Sequence, residues 1–125
     1  MNKTKMIKLT VIPTKIVLRQ FAAALGKSRR GEAVEEHSGI SFESIEGLRN
    51  VLTKRRLELL SAVRHRRPNS IYELSKILNR DLKSVNTDLK VLEDNDFVEL
   101  KKTKDSRQRV IPVVDFDKID IMVKV

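Results

Sequence analysis

The chain has 125 residues, and its 26 Lys and Arg residues against 17 Asp and Glu residues give a formal net charge of +9. This length fits one domain with an appendage, and the charge favours a polyanionic partner or an anionic membrane surface. The absence of cysteine excludes disulfides, a thiol nucleophile and thiolate metal sites. The sequence also has no run of about eighteen apolar residues that could span a membrane. We therefore expect a cytoplasmic protein that does not enter a membrane.

The first forty residues predict a small arm of strands and one helix, because apolar residues alternate first and then recur at helical spacing. Its predicted elements are a strand over residues 4–12, a helix from Pro13 to a stop near Gly26, a linker at 29–38 and a short strand at 40–42. The two strands are expected to pair. So few elements bury little area on their own, so residues 4–28 are the candidate surface for dimerisation or partner binding.

Two helices with clear starting signals follow the arm. Ser44 is a candidate N-cap for the first, and Thr53 for the second, which runs from Lys54 to Arg66 and ends before Pro68. The predicted buried stripe of the second helix is formed by Leu57, Leu60 and Val63, with help from Leu59.

The next helix has the clearest start in the sequence. Ser70 and Glu73 have the spacing of a capping box, in which two side chains satisfy backbone N–H groups reciprocally. The predicted buried stripe of this helix is Ile71, Leu74, Ile77 and Leu78. A turn at residues 79–81 then leads to Asp81, which is well placed to cap another helix.

The helix from Leu82 to Asp94 has two distinct faces when residues are stepped by 100°. Its apolar face is Leu82, Val85, Leu89 and Leu92, and its outer face is Lys83, Asn86, Thr87 and Lys90. Asn can pair with adenine, Thr can offer a hydroxyl or a methyl group, and Lys can reach guanine or phosphate. This face therefore has the chemistry of base readout, and Ser84 could bond a phosphate near the helix start.

A basic hairpin follows, with strands predicted over residues 97–102 and 109–114. Pro112 marks an edge position, since it cannot donate to a strand ladder. The candidate phosphate contacts are Lys102, Lys104, Arg107 and Arg109. The alternation of Ile119, Ile121, Val123 and Val125 predicts a closing strand.

Three segments carry a resemblance to a known family: ISFESIEGLRNVLTKRRLELLSAVR, SIYELSKILNRDLKSVNTDLKVLEDNDFVEL and DFDKIDIMVKV. They resemble the prokaryotic winged-helix proteins that are predicted transcriptional regulators and, in many cases, antitoxins of toxin–antitoxin pairs. The resemblance implies a DNA-binding autoregulator, with a toxin partner held through the N-terminal arm. Asn79 stands where the family commonly has glycine, and Asn86 and Thr87 stand where it often has His and a charged residue. An operator known for a relative therefore does not transfer to this chain.

The predicted fold is α+β: a winged helix-turn-helix domain over residues 41–125, with an N-terminal strand–helix arm over residues 1–40 and a C-terminal strand. The predicted function is sequence-specific binding of double-stranded DNA by a homodimer, as a repressor or antitoxin, without a cofactor and without enzymatic activity. A two-fold dimer is expected because one recognition helix contacts only a few base pairs.

Several alternatives stay open. The polar helix face and the hairpin lysines are also compatible with ordinary solvation and edge protection. Winged helices also serve as protein-interaction modules. His37 and His65 could bind zinc, and Asp115, Asp117 and Asp120 could gather magnesium for nuclease chemistry, but the first pair lacks ligand spacing and the aspartates fit turn chemistry.

Overall fold

A computed structural model describes residues 5–29, 39–106 and 108–125. This part of the chain is α+β, as predicted, with five helices and five strands. The helices are α1 (Thr14–Arg29), α2 (Ile45–Val51), α3 (Lys54–Arg66), α4 (Ile71–Leu78) and α5 (Leu82–Asp94). The strands are β1 (Met6–Val11), β2 (Ile40–Phe42), β3 (Glu99–Lys102), β4 (Val110–Val113) and β5 (Lys118–Val123). None of the described helices combines the length and apolar character needed to cross a lipid bilayer.

The chain forms two compact units. Among the described residues, the helical unit comprises residues 5–6, 49–106 and 108–118, and the sheet unit comprises residues 7–29, 39–48 and 119–125. Residues 41–48 and β5 thus belong to the same unit as the arm, whereas the sequence grouped them with residues 41–125.

The sheet unit is organised around β1, which lies between β2 and β5. β1 and β2 are parallel, with Leu9 opposite Ile40 and Val11 opposite Phe42, so the predicted pairing of these strands is confirmed. Gly39 permits the entry into β2, because its φ is +103° and an added Cβ would lie 2.4 Å from the Lys8 carbonyl oxygen. Few apolar side chains of this unit are buried: Leu9, Val11, Ile12 and Leu48.

Helix α1 corrects one predicted boundary. It continues through Gly26 as far as Arg29, because a helix interior tolerates glycine at a cost of about 1 kcal/mol. The predicted linker at 29–38 lies mostly outside the described residues.

Capping side chains set the starts of the later helices as predicted. The Ser44 hydroxyl accepts a hydrogen bond from the Gly47 N–H at 3.1 Å, and the Thr53 hydroxyl accepts one from Arg56 at 3.2 Å. Arg67 ends α3 in the left-handed conformation, with its N–H donating to the Val63 carbonyl.

The capping box of α4 is confirmed on one side only. Ser70 accepts from the Glu73 N–H at 3.0 Å, but the Glu73 carboxylate accepts from Asn69, at 3.3 Å, instead of from Ser70. Asn79 ends α4 with φ at 51°, a left-handed conformation that asparagine tolerates, and Asp81 caps α5 by accepting from the Ser84 N–H.

The core of the helical unit comes from all three of its main helices and from the segments around the hairpin. Its buried apolar residues are Leu59, Leu60, Val63, Leu74, Val85, Leu89, Leu92, Phe97, Val98, Val114 and Phe116. Two predicted core positions are wrong, since Leu57 is 43% exposed and Leu82 is 44% exposed. On α3 the buried stripe consists of Leu59, Leu60 and Val63, which were all expected to contribute, and it leaves Leu57 on the side of solvent.

β3 and β4 form a two-stranded antiparallel hairpin, as predicted. Glu99 lies opposite Val113 and Lys102 opposite Val110, and the Thr103 N–H donates to the Arg109 carbonyl to close the ladder. Pro112 lies opposite Leu100 and is buried. The strands are shorter than predicted. β3 begins at Glu99, and Phe97 and Val98 precede it as buried residues that do not pair with β4.

Candidate nucleic-acid interface

The outer face of α5 is assembled as the helical periodicity predicts. The side chains of Lys83, Asn86, Thr87 and Lys90 are all exposed, while Val85, Leu89 and Leu92 on the opposite face are at most 1% exposed. The four outer residues line one shallow open groove together with Leu82 and Val91. The groove therefore combines hydrogen-bonding groups with the apolar surface of Leu82, which sequence periodicity had placed in the core.

The four outer side chains differ in the hydrogen-bonding capacity they have left. The Thr87 hydroxyl donates to the Lys83 carbonyl at 3.0 Å, so it offers a ligand its methyl group and an acceptor oxygen. The Lys90 ammonium lies 3.4 Å from Asp94 in an exposed ion pair, which contributes little and is readily exchanged. Within the described residues, Asn86 and Lys83 make no side-chain hydrogen bond, so the amide oxygen of Asn86 can accept from a partner and its NH2 can donate to one.

Ser84 is half-buried and already has a partner. Its hydroxyl oxygen lies 2.6 Å from Nη2 of Arg80, and a guanidinium can only donate. The Ser84 oxygen therefore accepts this bond, while its O–H remains a donor. A phosphate oxygen is the kind of acceptor that the predicted role of Ser84 requires.

The hairpin presents cationic side chains in an exposed loop. Lys102, Lys104 and Arg109 are exposed, and Lys102 and Lys104 have no ion-pair partner among the described residues. Arg109 lies 3.2 Å from Asp105, with about half of each side chain exposed. Arg107, the fourth predicted phosphate contact, lies outside the described residues.

A small hydrogen-bond network shapes this loop. The Thr103 hydroxyl donates to Asp105 at 2.8 Å and accepts from the Arg109 N–H at 2.9 Å. The Thr103 hydroxyl and then the Arg109 guanidinium stabilise the carboxylate, and they lower the pKa of Asp105 below its ordinary value of 3.8. The network links Thr103, Asp105 and Arg109 across the loop, and Lys104 is exposed beside it.

A cluster on the inner side of α5 was not predicted from sequence. Asp88 lies 3.1 Å from Nε of Arg56 and 2.6 Å from Nη2 of Arg80, and each of the three side chains is only 14–16% exposed. Neither Asp88 nor Arg80 was among the residues predicted to contact DNA. The sequence does contain one indication of this cluster. Asp88 is a charged residue that lies between Val85 and Leu89 on the predicted helix, four residues after Ser84.

Among the described residues, no three His, Asp or Glu side chains are grouped so that they could hold a metal ion. His37 lies outside this part of the chain. His65 is exposed, and its Nδ1 lies 3.0 Å from the Ser61 carbonyl oxygen within α3.

The fold and the site define an α+β protein with an exposed polar helix face and a cationic hairpin in one compact unit. The model of the HVO_A0114 family matches residues 51–121, which is more than half of the chain, so the protein belongs to the HVO_A0114 family. No curated protein and no solved structure matches the chain significantly.

Proposed function

We propose that this protein is a sequence-specific double-stranded DNA-binding regulator whose helical unit is a winged helix-turn-helix. In this proposal α4 and α5 are the helix-turn-helix, α5 is the recognition helix, and the β3–β4 hairpin is the wing. The supporting observations are the order of three helices followed by an antiparallel hairpin, the short turn between α4 and α5, and the net charge of +9.

The exposed face of α5 carries the proposal. Lys83, Asn86, Thr87 and Lys90 lie together on an open groove, and none of them is needed to pack the core. A helix enters the major groove with such a row of donors and acceptors, where each base pair presents a distinct pattern. Lys102, Lys104, Arg107 and Arg109 supply phosphate contacts in this proposal, and Ser84 supplies another near the helix start.

We also propose that the protein acts as a homodimer joined through the sheet unit. Among the described residues of this unit, eight large apolar side chains are at least 45% exposed and only four apolar residues are buried. The exposed residues are Leu18, Phe21, Leu25, Ile45, Ile121, Met122, Val123 and Val125. Such a surface is typical of protein interfaces, and two recognition helices are needed to read a two-fold operator.

Autorepression and an antitoxin role complete the proposal, and both rest on the family resemblance. An autorepressor binds its own upstream region, and a two-fold protein protects a two-fold site there. A toxin partner would use the arm.

Duplex titration at several salt concentrations tests DNA binding. We expect affinity to fall steeply with salt, and the double variant Lys102→Ala/Lys104→Ala to reduce the slope of log affinity against log salt by about 2. Asn86→Ala and Thr87→Ala are expected to weaken binding unevenly across sequences, by about ten-fold at the base pairs they contact.

Two outcomes contradict this proposal. If the affinity is the same for every duplex sequence and is unchanged by the α5 substitutions, α5 does not read bases. No binding to any duplex, with a protein partner captured by the same α5 face, identifies the helical unit as a protein-interaction module. A footprint on the upstream region of its own gene then decides whether regulation is autogenous.

Sedimentation of the full chain tests the dimer. We expect a dimer for the wild type and a monomer for Leu18→Ser/Phe21→Ser, because both side chains are 64% exposed on α1. The control is Leu57→Ser, an exposed leucine of the helical unit, which should leave the dimer intact. A monomeric wild-type protein would contradict the proposed dimer.

A further inference from the structure

The inner cluster of α5 joins three parts of the helical unit through one carboxylate. Asp88 belongs to α5, Arg56 to α3, and Arg80 to the turn between α4 and α5. Nη2 of Arg80 reaches both Asp88 and Ser84, which lie one helical turn apart on α5. Each arginine therefore holds α5 from a different direction.

Arg56 has further contacts that fix its own position. Its Nη1 donates to the Asn50 carbonyl at 2.6 Å and to the Val51 carbonyl at 3.3 Å. The guanidinium thus spans the end of α2 and the side of α5, which a lysine ammonium could not do in the same geometry.

Stability is a poor explanation for this cluster. One carboxylate neutralises only one of two guanidinium groups, and Nε and Nη1 of Arg80 are buried without a partner among the described residues. Buried ion pairs with unsatisfied groups are often no more stable than apolar residues of similar size. Buried ion pairs differ from apolar contacts in being directional. Hydrogen bonds to a carboxylate restrict the angle between donor and acceptor, whereas apolar contacts are non-directional.

The rotation of α5 matters for any ligand on its outer face. A rotation of about 20° moves a side-chain tip that lies about 6 Å from the helix axis by about 2 Å. A hydrogen bond tolerates only a few tenths of an ångström. Asn86 and Thr87 immediately precede Asp88, so the bonds that hold Asp88 also set where these two side chains point.

We propose that Asp88, held by Arg56 and Arg80, is a positioning residue that determines sequence specificity without contacting DNA. The cluster fixes the rotation of α5 about its axis, and therefore which base edges Asn86 and Thr87 can reach. The inference rests on the proposed function, which it deepens by naming residues outside the interface.

The test compares wild type, Asp88→Asn and Arg56→Lys on two probes. One probe is a duplex that the wild type selects from a randomised pool, and the other is the unselected pool. The matched control is Glu58→Gln, on the exposed face of α3, which changes the net charge by the same amount as Asp88→Asn. Circular dichroism identifies a temperature at which the variants that fold can be compared. Arg56→Lys leaves the net charge unchanged and keeps Asp88 paired with Arg80, so it provides a second test of the cluster if Asp88→Asn does not fold.

We expect both cluster variants to lose about ten-fold in the ratio of selected to unselected affinity, with an unchanged salt slope because phosphate contacts persist. Selection repeated with Asp88→Asn should return an altered or degenerate sequence, a result that lower stability alone does not produce. Glu58→Gln should keep the wild-type ratio.

Two results overturn the inference, and they differ. If the wild type selects a sequence and the folded cluster variants keep its affinity ratio, the cluster is merely structural while the proposed function stands. If the wild type selects no sequence from the pool, the proposed function fails, and the specificity role of Asp88 fails with it.

Discussion

The helical unit and the sheet unit differ in how far each one buries its own apolar residues. Among its described residues, the helical unit buries eleven aliphatic and aromatic side chains from α3, α4, α5 and the segments flanking the hairpin, and Leu59, Leu74, Val85 and Leu92 are fully inaccessible. The described residues of the sheet unit include four buried apolar side chains and eight large exposed ones. A unit that buries many apolar residues can fold around them, whereas a unit that buries little apolar area gains little stability from its own core.

This difference also separates two kinds of surface. The outer face of α5 carries the exposed polar and cationic side chains of Lys83, Asn86, Thr87 and Lys90 beside the exposed Leu82, and such side chains suit a hydrated anionic ligand. The exposed residues of α1 and β5 include Leu18, Phe21, Ile121 and Met122, which suit an apolar partner. The two units therefore differ in the chemistry of the surface that each one exposes, and our proposal places DNA binding on the helical unit and dimerisation on the sheet unit.

The largest expected effect comes from the core of the helical unit. Leu59 and Leu57 lie two residues apart on α3, but Leu59 is 0% exposed and Leu57 is 43% exposed. Leu59→Ala should lower the free energy of unfolding by about 2–5 kcal/mol, through lost burial and a residual cavity. Leu57→Ala, the matched control, should cost under about 1 kcal/mol. Urea denaturation followed by circular dichroism and by the fluorescence of Tyr72, the only tyrosine, measures both. Equal losses for the two variants would contradict the described core.

A smaller effect is expected from the backbone of the sheet unit. Gly39→Ala should cost about 1–3 kcal/mol, because alanine is strained at φ +103° and its Cβ would collide with the Lys8 carbonyl. Gly26→Ala is the matched control, since nothing lies within 4 Å of the added Cβ in α1. That variant should gain about 0.5–1 kcal/mol. Thermal unfolding of both variants measures the difference. A destabilising Gly26→Ala would contradict the continuous helix, and a neutral Gly39→Ala would contradict the entry into β2.

Local sequence signals predicted those features that depend on neighbouring residues. The caps at Ser44, Thr53, Ser70 and Asp81 were predictable, because each is a bond between a side chain and a backbone N–H three residues away. The polar face of α5 was predictable too, since helical periodicity alone separates Asn86 and Thr87 from Leu89.

Features that depend on contacts between distant segments were not predictable in the same way. Asp88 pairs with Arg56 from 32 residues away, and no local pattern indicates which arginine it meets. Leu57 and Leu82 fit their helical stripes, yet no neighbouring element in the described part of the chain covers them, although Leu59 and Val85 on the same helices are fully buried. The grouping of β5 with β1 likewise depends on a pairing between the two ends of the chain.

The smallest expected effect concerns the hairpin loop, where exposed polar contacts replace burial. The contacts of the folded loop lower the pKa of Asp105 below 3.8. The ionised carboxylate therefore stabilises the loop at a pH above the unfolded-state pKa, and this stabilisation is lost as the pH falls through the pKa of the folded state. Acidification should therefore loosen the loop around Thr103 and Arg109 only below pH 3.8. Thr103→Val should raise the pKa of Asp105 towards its ordinary value, since the hydroxyl bond is the largest cause of the shift. Carboxyl-carbon NMR titration of both proteins measures it. If Asp105 titrated identically in the two, the Thr103 hydroxyl would not hold this carboxylate, and another contact would have to order the loop that presents Lys104.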